Sequence, residues 1–368
     1  MDQSEFSEQI QDLGGSFQVH QDNDRLFLQA AALSEAEEEL YRLIAELVMA
    51  PAFPANDLAT ERAKLVEGLR MARATPHFPA AEALQRLIYK DHPYGRPEPT
   101  EAAVRRAGRQ ALLDFHAQTF TPFAAQITVV GDIEPRRTQA RLRRAFAAWR
   151  GPRRVPRLPA VRALRSGELL FIPRPGSVQT VVMSGVSGPT HGDDEHIALT
   201  LATAILGGSF SSRMMSNLRE DKGYTYSPHA HLESRLLDGL AVASMDVRNE
   251  VTAAALVELY YEMGHLATVR VPEEEFQATK RYLAGARAVM LQTQAGLASA
   301  LAQVRAHGLD HRYLERYSRE LDSTSTAQVM AAAQRYLSPT AVTTVMVGDP
   351  EAAAGLEALG PLRVSRTR

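Results

Sequence analysis

Alternation of apolar and polar positions is clearest from Val178 to Val186, where Val178, Thr180, Val182 and Ser184 alternate with Gln179, Val181 and Met183. A period of two predicts a strand there, and the short apolar runs Glu168 to Ile172 and 239 to 247 (GLAVASMDV) predict two more. Between them the period lengthens. Ile197, Leu201 and Ile205 recur every four residues within Asp194 to Leu206, and Gly207-Gly208 supplies a stop signal, so a helix is predicted. Near the start of the chain, Leu26 to Leu33 predicts a strand. Ser34-x-x-Glu37 then reads as a capping box opening a helix with Leu40, Leu43, Ile44, Leu47 and Val48 on one stripe.

These patterns occur twice. Pro54-Ala-Asn-Asp-Leu58 and Pro272-Glu-Glu-Glu-Phe276 each open an amphipathic helix, and each copy continues with a second helix and a Pro/Gly or Gly/Asp break: DHPYGRP at 91 to 97, HGLDHRY at 307 to 313. A further helix ends at Phe120 or Leu337, a proline follows (Pro122, Pro339), and a β-branched strand closes on Val130-Gly131-Asp132 or Val347-Gly348-Asp349. Internal repetition at this scale decides the architecture, namely two related domains. The segment RGPRRVPRLPAVRALRSG at 150 to 167 holds six Arg, three Pro and no acid, so it reads as a linker. The expected domains are therefore 1 to 149 and 168 to 368. The second copy spends two strands and a helix before its counterpart of Leu26 to Leu33, whereas the first reaches that point almost at Met1. The first domain is expected to be truncated and incomplete.

Composition narrows the function. A net charge of -2 argues against a nucleic-acid partner held by bulk charge, and no apolar run is long enough to span a membrane. The start MDQSEFSEQI has no basic and apolar leader, so a cytoplasmic location is expected. With no cysteine in the chain, any metal site must use His, Asp and Glu.

Several stretches together carry a family likeness: LGGSFQVHQDNDRLFLQ at 13 to 29, APAFP at 50 to 54, Glu61-Arg62, HPYGRP at 92 to 97, ITVVGDI at 127 to 133, LGGSFSSRMMSNLREDKGYTYS at 206 to 227 and the closing TTVMVGDP. The chain resembles the insulinase-type (M16) zinc peptidases, which include pitrilysin and the mitochondrial processing peptidase. The resemblance implies an α+β fold of two homologous LuxS/processing-peptidase-like domains, each a mainly antiparallel sheet with helices packed on one face. Activity in that family rests on HxxEH, whose two His share a helix face and bind zinc while the Glu serves as general base. A Glu farther along completes the ligands.

No HxxEH is present in this sequence. In the family the downstream ligand ends an ERxxxxxE run, and here Glu61-Arg62-Ala-Lys-Leu-Val-Glu67-Gly68 puts glycine at that step. Glu67 lies one residue early, about 100° around a helix from the needed direction. Two other histidine pairs imitate a site on spacing alone. His307-Gly-Leu-Asp310-His311 has the i, i+4 separation, but Gly308 weakens a helix and the repeat places the run at a break. His191 and His196 are five residues apart, at an acid-rich helix start. His77, His92, His116 and His265 share no ligand spacing; His229 and His231 share a strand face, and two ligands do not make a site. The expectation is no catalytic and no metal residue in this chain.

Arg219 and Tyr226 are the candidate substrate-binding residues, because the resemblance carries over an Arg and a Tyr at this spacing that reach toward the peptide bond to be cut. A guanidinium offers a rigid fork of donors to peptide carbonyls, and a phenol can bind a developing oxyanion. The implied function is a non-catalytic subunit of a two-chain peptidase, forming the chamber wall of a heterodimer whose catalytic partner carries the zinc. Peptide substrate, rather than nucleic acid or membrane, is the implied ligand. Two alternatives remain open: a purely structural family member in a larger assembly, and a fragment of an active zinc metalloendopeptidase.

Overall fold

The computed structural model describes residues 2–96, 98–153, 158–162 and 167–365. Of the expected linker, residues 154–157 and 163–166 lie outside these, as does Pro97 of the HPYGRP stretch. In chain order the main elements begin with α1 (Gln3–Asp12), β1 (Ser16–Gln21), β2 (Leu26–Ala31), α2 (Glu37–Met49), α3 (Ala55–Ala74) and α4 (His77–Tyr89). They continue with α5 (Glu101–Arg106), α6 (Arg109–Thr119), α7 (Pro135–Ala145), β3 (Leu169–Pro173), β4 (Gln179–Gly188), α8 (His196–Thr203), β5 (His229–Ser234) and β6 (Gly239–Arg248). Last come α9 (Thr252–Thr268), α10 (Glu273–Leu291), α11 (Gln294–Ala306), α12 (Tyr313–Ser323), α13 (Thr326–Ala332), β7 (Thr343–Gly348) and β8 (Leu362–Val364). No helix among the described residues is long and apolar enough to cross a membrane.

Two compact units result. One comprises Met1–Met71, Pro99–Leu158 and Gln292–Ala302; the other comprises Ala72–Glu98, Pro159–Leu291 and Gln303–Arg368. The units differ from a split into 1–149 and 168–368 in two places: α4 falls with the second unit and most of α11 with the first. α4 and α11 occupy corresponding places in the two copies expected from the sequence.

In the first unit β1 and β2 pair antiparallel, with Ser16 opposite Ala31 and Gln21 opposite Leu26. Phe6 and Ile10 of α1 pack with Leu43 of α2, and the Phe6 and Phe17 rings meet edge to face at 4.9 Å. Two expectations fail here. The capping box at Ser34 does not form: Ser34–Ala36 is a 3-10 turn without a side-chain cap, and buried Glu37 instead accepts from Thr138 Oγ1 and Arg141 of α7. A buried carboxylate satisfied by a hydroxyl and a guanidinium is better solvated than one returning to an exposed backbone N–H. The strand expected at the ITVVGDI stretch is also absent, since residues 125–130 carry no strand pairing. Its counterpart β7 is held between β3 and β4. Among the described residues the first unit has only the β1–β2 pair, and an isolated apolar run has no ladder to join.

The second unit is built on a six-stranded sheet in the order β5-β6-β4-β7-β3-β8. β3 runs parallel to β7 and β8, while β4 pairs antiparallel with β6 and β7, and β5 antiparallel with β6. Val182 and Val186 of β4, Met245 and Val247 of β6 and Met346 of β7 face the core formed with α8, α9, α12 and α13. The alternate positions Val181, Leu240, Val345 and Val347 meet Ala80, Leu84 and Ile88 of α4 on the other face. Both faces are thus covered, which is why β7 is buried at every position and reads as a continuous apolar run. Each Leu or Ile that α4 buries there stabilises the unit by about 1.5–3 kcal/mol.

A buried cation fixes the end of α4. Arg235, 2% exposed, lies 5.0 Å from the centroids of both Tyr89 and Tyr94. It donates through Nε and Nη2 to Glu233 at 2.9 and 3.0 Å and through Nη2 to Gln85 of α4 at 3.1 Å. His92 accepts from Tyr94 N–H through Nδ1 at 3.1 Å, with its Nε2 3.0 Å from the Pro159 carbonyl oxygen. The HPYG residues are accordingly a structural clasp.

Candidate functional site

Arg219 and Tyr226 both belong to the second unit, and the local sequence explains how each is presented. The helix begun by α8 widens into a π-helical turn at Ala204–Gly208. A Cβ on Gly207 would collide with the Ala230 backbone, so only glycine lets this turn lie against β5. A second π-helical turn, Met215–Asp221, carries Arg219; such turns recur at functional sites because they re-aim side chains. Its inner face is fixed by fully buried Met214 and Leu218. Asn217 Nδ2 donates to Glu258 and Glu262 of α9 at 3.0 and 2.8 Å, and Arg213 forms a bidentate pair with Glu275 of α10, both contacts 2.8 Å. What this leaves outward is Arg219.

Gly223 ends the turn at φ +62°, and Tyr224 N–H donates to the Leu218 carbonyl at 2.9 Å. The chain then runs beside β6, bridged by Thr225 opposite Val247. Tyr224 packs toward the core, and Tyr226 is left 76% exposed. The sequence candidates are therefore brought together: the Arg219 Cζ lies 4.4 Å from the Tyr226 ring centroid. Phe210, which the sequence pattern did not single out, stands 5.1 Å from the same carbon and is 73% exposed. Glu220 is 3.2 Å from Arg219 Nε. Beside this group is an open depression of about 430 Å³ lined by Arg219, Tyr226, Gln179 and Arg248 among others. Guanidinium donors, a phenol and an amide on one concave surface suit the carbonyl groups of an extended peptide.

The zinc chemistry of the resembling family finds no fit in α3. Glu61 pairs with Lys64 at 2.7 Å and Glu67 with Arg70 at 3.7 Å; both carboxylates are more than half exposed, and a Cβ on Gly68 would meet nothing within 4 Å. Arg62 donates to the Ala107 carbonyl at 2.6 Å, closing the end of α5. Among the described residues no group of three or more His, Asp or Glu is arranged to hold a metal ion.

Of the two histidine pairs picked out by spacing, His191, His196 and His307 pack in one cluster, whereas His311 is exposed. α11 ends at Ala306 and Gly308 turns the chain at φ +72°, so His307 and His311 do not share a helix. The His191 ring lies 4.6 Å from His196, 5.1 Å from His307 and 4.8 Å from Tyr313. Burial pushes His196 down to about 4, and the nearby His307 adds to the shift. Because the folded state holds this imidazole neutral while the unfolded chain protonates it near 6.5, the stabilisation is complete above that value and fades as pH falls toward 4. Urea unfolding at pH 7 and pH 5 is expected to show a loss of about 2 kcal/mol, with the His196 share absent in His196→Gln. An identical pH slope in that variant would contradict the assignment.

Residues 106–283 match the family described as the peptidase M16 inactive domain. An uncharacterised zinc protease of Mycobacterium leprae is 24% identical over 347 residues, covering 90% of this chain and 76% of that protein. Among solved structures, the peptidase M16 inactive domain from Pseudomonas fluorescens superposes with a TM-score of 0.87 at 23% identity, over 95% of this chain and 84% of that one. The periplasmic protease PqqL from Escherichia coli gives a TM-score of 0.77 at 15% identity, over 94% of this chain but 38% of that one.

Proposed function

The chain belongs to the insulinase-type (M16) peptidases, as a member of the inactive-domain kind, and from that premise we propose that it is the non-catalytic subunit of a two-chain zinc peptidase. One observation carries the reading: Arg219 and Tyr226 form a preorganised pair beside an open depression, while α3 presents Gly68 where a ligand would be needed. A catalytic partner of the same family brings the HxxEH helix and its zinc. This chain supplies the opposing wall of the chamber and two arms for the peptide. Arg219 holds a backbone carbonyl of the extended substrate, and the Tyr226 hydroxyl donates toward the oxygen that gains charge when the scissile carbonyl is attacked. Occurrence of the same fold within a longer protease chain supports a module that works beside others.

Native mass spectrometry of a tagged copy purified gently from its own cells, with metal counted on each species, tests the proposal. A second chain of similar size that alone carries zinc is the expected result. Stoichiometric zinc on this chain by itself overturns the reading and favours an active zinc protease, as the name of the mycobacterial relative would have it.

A further inference from the structure

Phe210 is an unusual residue to leave 73% exposed, and its exposure does not come from a loose loop. Ser212 is 2% exposed, its N–H donates to the Ser209 carbonyl at 3.2 Å, and its own carbonyl receives Ser216 N–H at 2.9 Å. Fully buried Leu206 and Met214 anchor the chain on either side. The segment is thus held so that a large apolar ring stands in water beside Arg219, with a second exposed ring, Tyr226, against the same guanidinium. One ring is enough to steady an arginine by cation–π attraction, which at exposed sites is worth about 0.5–1 kcal/mol. The Phe210 ring, lacking any polar handle, offers something Arg219 does not need: apolar surface next to a carbonyl-binding fork.

We propose that Phe210 is a specificity-determining residue of this site, seating a bulky apolar side chain of an extended peptide whose neighbouring backbone carbonyl is held by Arg219. The inference rests on the reading of Arg219 and Tyr226 as peptide-binding arms. It adds a preference that neither residue supplies, since a guanidinium and a phenol hydroxyl recognise backbone common to every peptide. Covering the exposed ring with an aromatic or large aliphatic side chain removes apolar area from both partners. Alanine at the same peptide position leaves the ring wet.

The test uses the full chain and two short fluorescein-labelled peptides of Gly, Ser and Asn, identical except for a single central Phe or Ala, with binding followed by anisotropy. Wild type is expected to bind the Phe peptide about tenfold more tightly. Phe210→Ala should bring the Phe peptide to the level of the Ala peptide and leave the latter unchanged, Phe210→Leu should keep most of the preference, and Arg219→Ala should weaken both. The ring is exposed, so unaltered thermal melting is expected in both Phe210 variants. Equal binding of the two peptides by wild type, or an equal loss for both in Phe210→Ala, overturns the inference while leaving the arms in place. Failure of wild type to bind either peptide overturns the peptide-binding reading and this inference with it.

Discussion

If the proposed two-chain peptidase is correct, Arg219→Ala, assayed in the complex with the proposed zinc-bearing partner, is expected to lower kcat/KM for peptide cleavage by about 10²-fold, the scale on which a preorganised donor at a developing charge acts. The side chain is 24% exposed and pairs with Glu220, itself 61% exposed, so its removal should leave folding intact. Arg219→Lys should recover little, because an ammonium neither forks onto a carbonyl nor stacks between rings as a guanidinium does. Tyr226→Phe separates the two arms: it keeps the ring on which Arg219 rests at 4.4 Å and removes only the hydroxyl. A loss in kcat with little change in KM is expected there, since that donor acts on charge present only in the transition state. Full turnover by both Arg219→Ala and Tyr226→Phe would reduce the chain to a structural member of its assembly.

The largest stability effect is expected at Arg235. Its guanidinium is 2% exposed, is flanked by Tyr89 and Tyr94 at 5.0 Å and reaches Glu233 and Gln85. Arg235→Ala removes a buried side chain from between two tyrosine rings, opening a cavity under the end of α4, and breaks its pair with the 39% exposed Glu233, at a cost of about 3–5 kcal/mol, mostly from the cavity. For a unit of this size that lowers Tm by roughly 10 °C. The exposed pair Arg363–Glu168, 2.9 Å apart with Arg363 56% exposed, is the contrast. Arg363→Ala should cost no more than about 1 kcal/mol. Differential scanning calorimetry of both variants checks the difference, and comparable losses would show that burial of Arg235 contributes little.

Much of the second unit was legible as pattern. β4 and β6 follow the alternation at Val178 to Val186 and 239 to 247, and the helix through Ile197, Leu201 and Ile205 forms as α8 with its π-helical extension. Arg219 and Tyr226 could be named as candidates through the family resemblance, whose motif runs along one continuous segment. Phe210 could not, since apolar residues are predicted inward and nothing in its immediate sequence says that it stays out. The histidines illustrate the converse: spacing compared His307 with His311 and His191 with His196, whereas the packed cluster joins His191, His196 and His307 across more than a hundred residues.

What the sequence by itself determined is local: period, turn chemistry, and the segment from Gly207 to Tyr226 that presents the candidate arms. These depend on contacts between near neighbours, which residue order specifies. Only the tertiary structure decided the partners. It sent α4 to the sheet of the second unit and most of α11 to the first unit, turned Glu37 from a cap into a buried pair with Arg141, and left residues 125–130 without a ladder. The physical reason is that an apolar stripe or a strand edge states only that it must be covered. Which surface covers it depends on every other surface competing for the same contact.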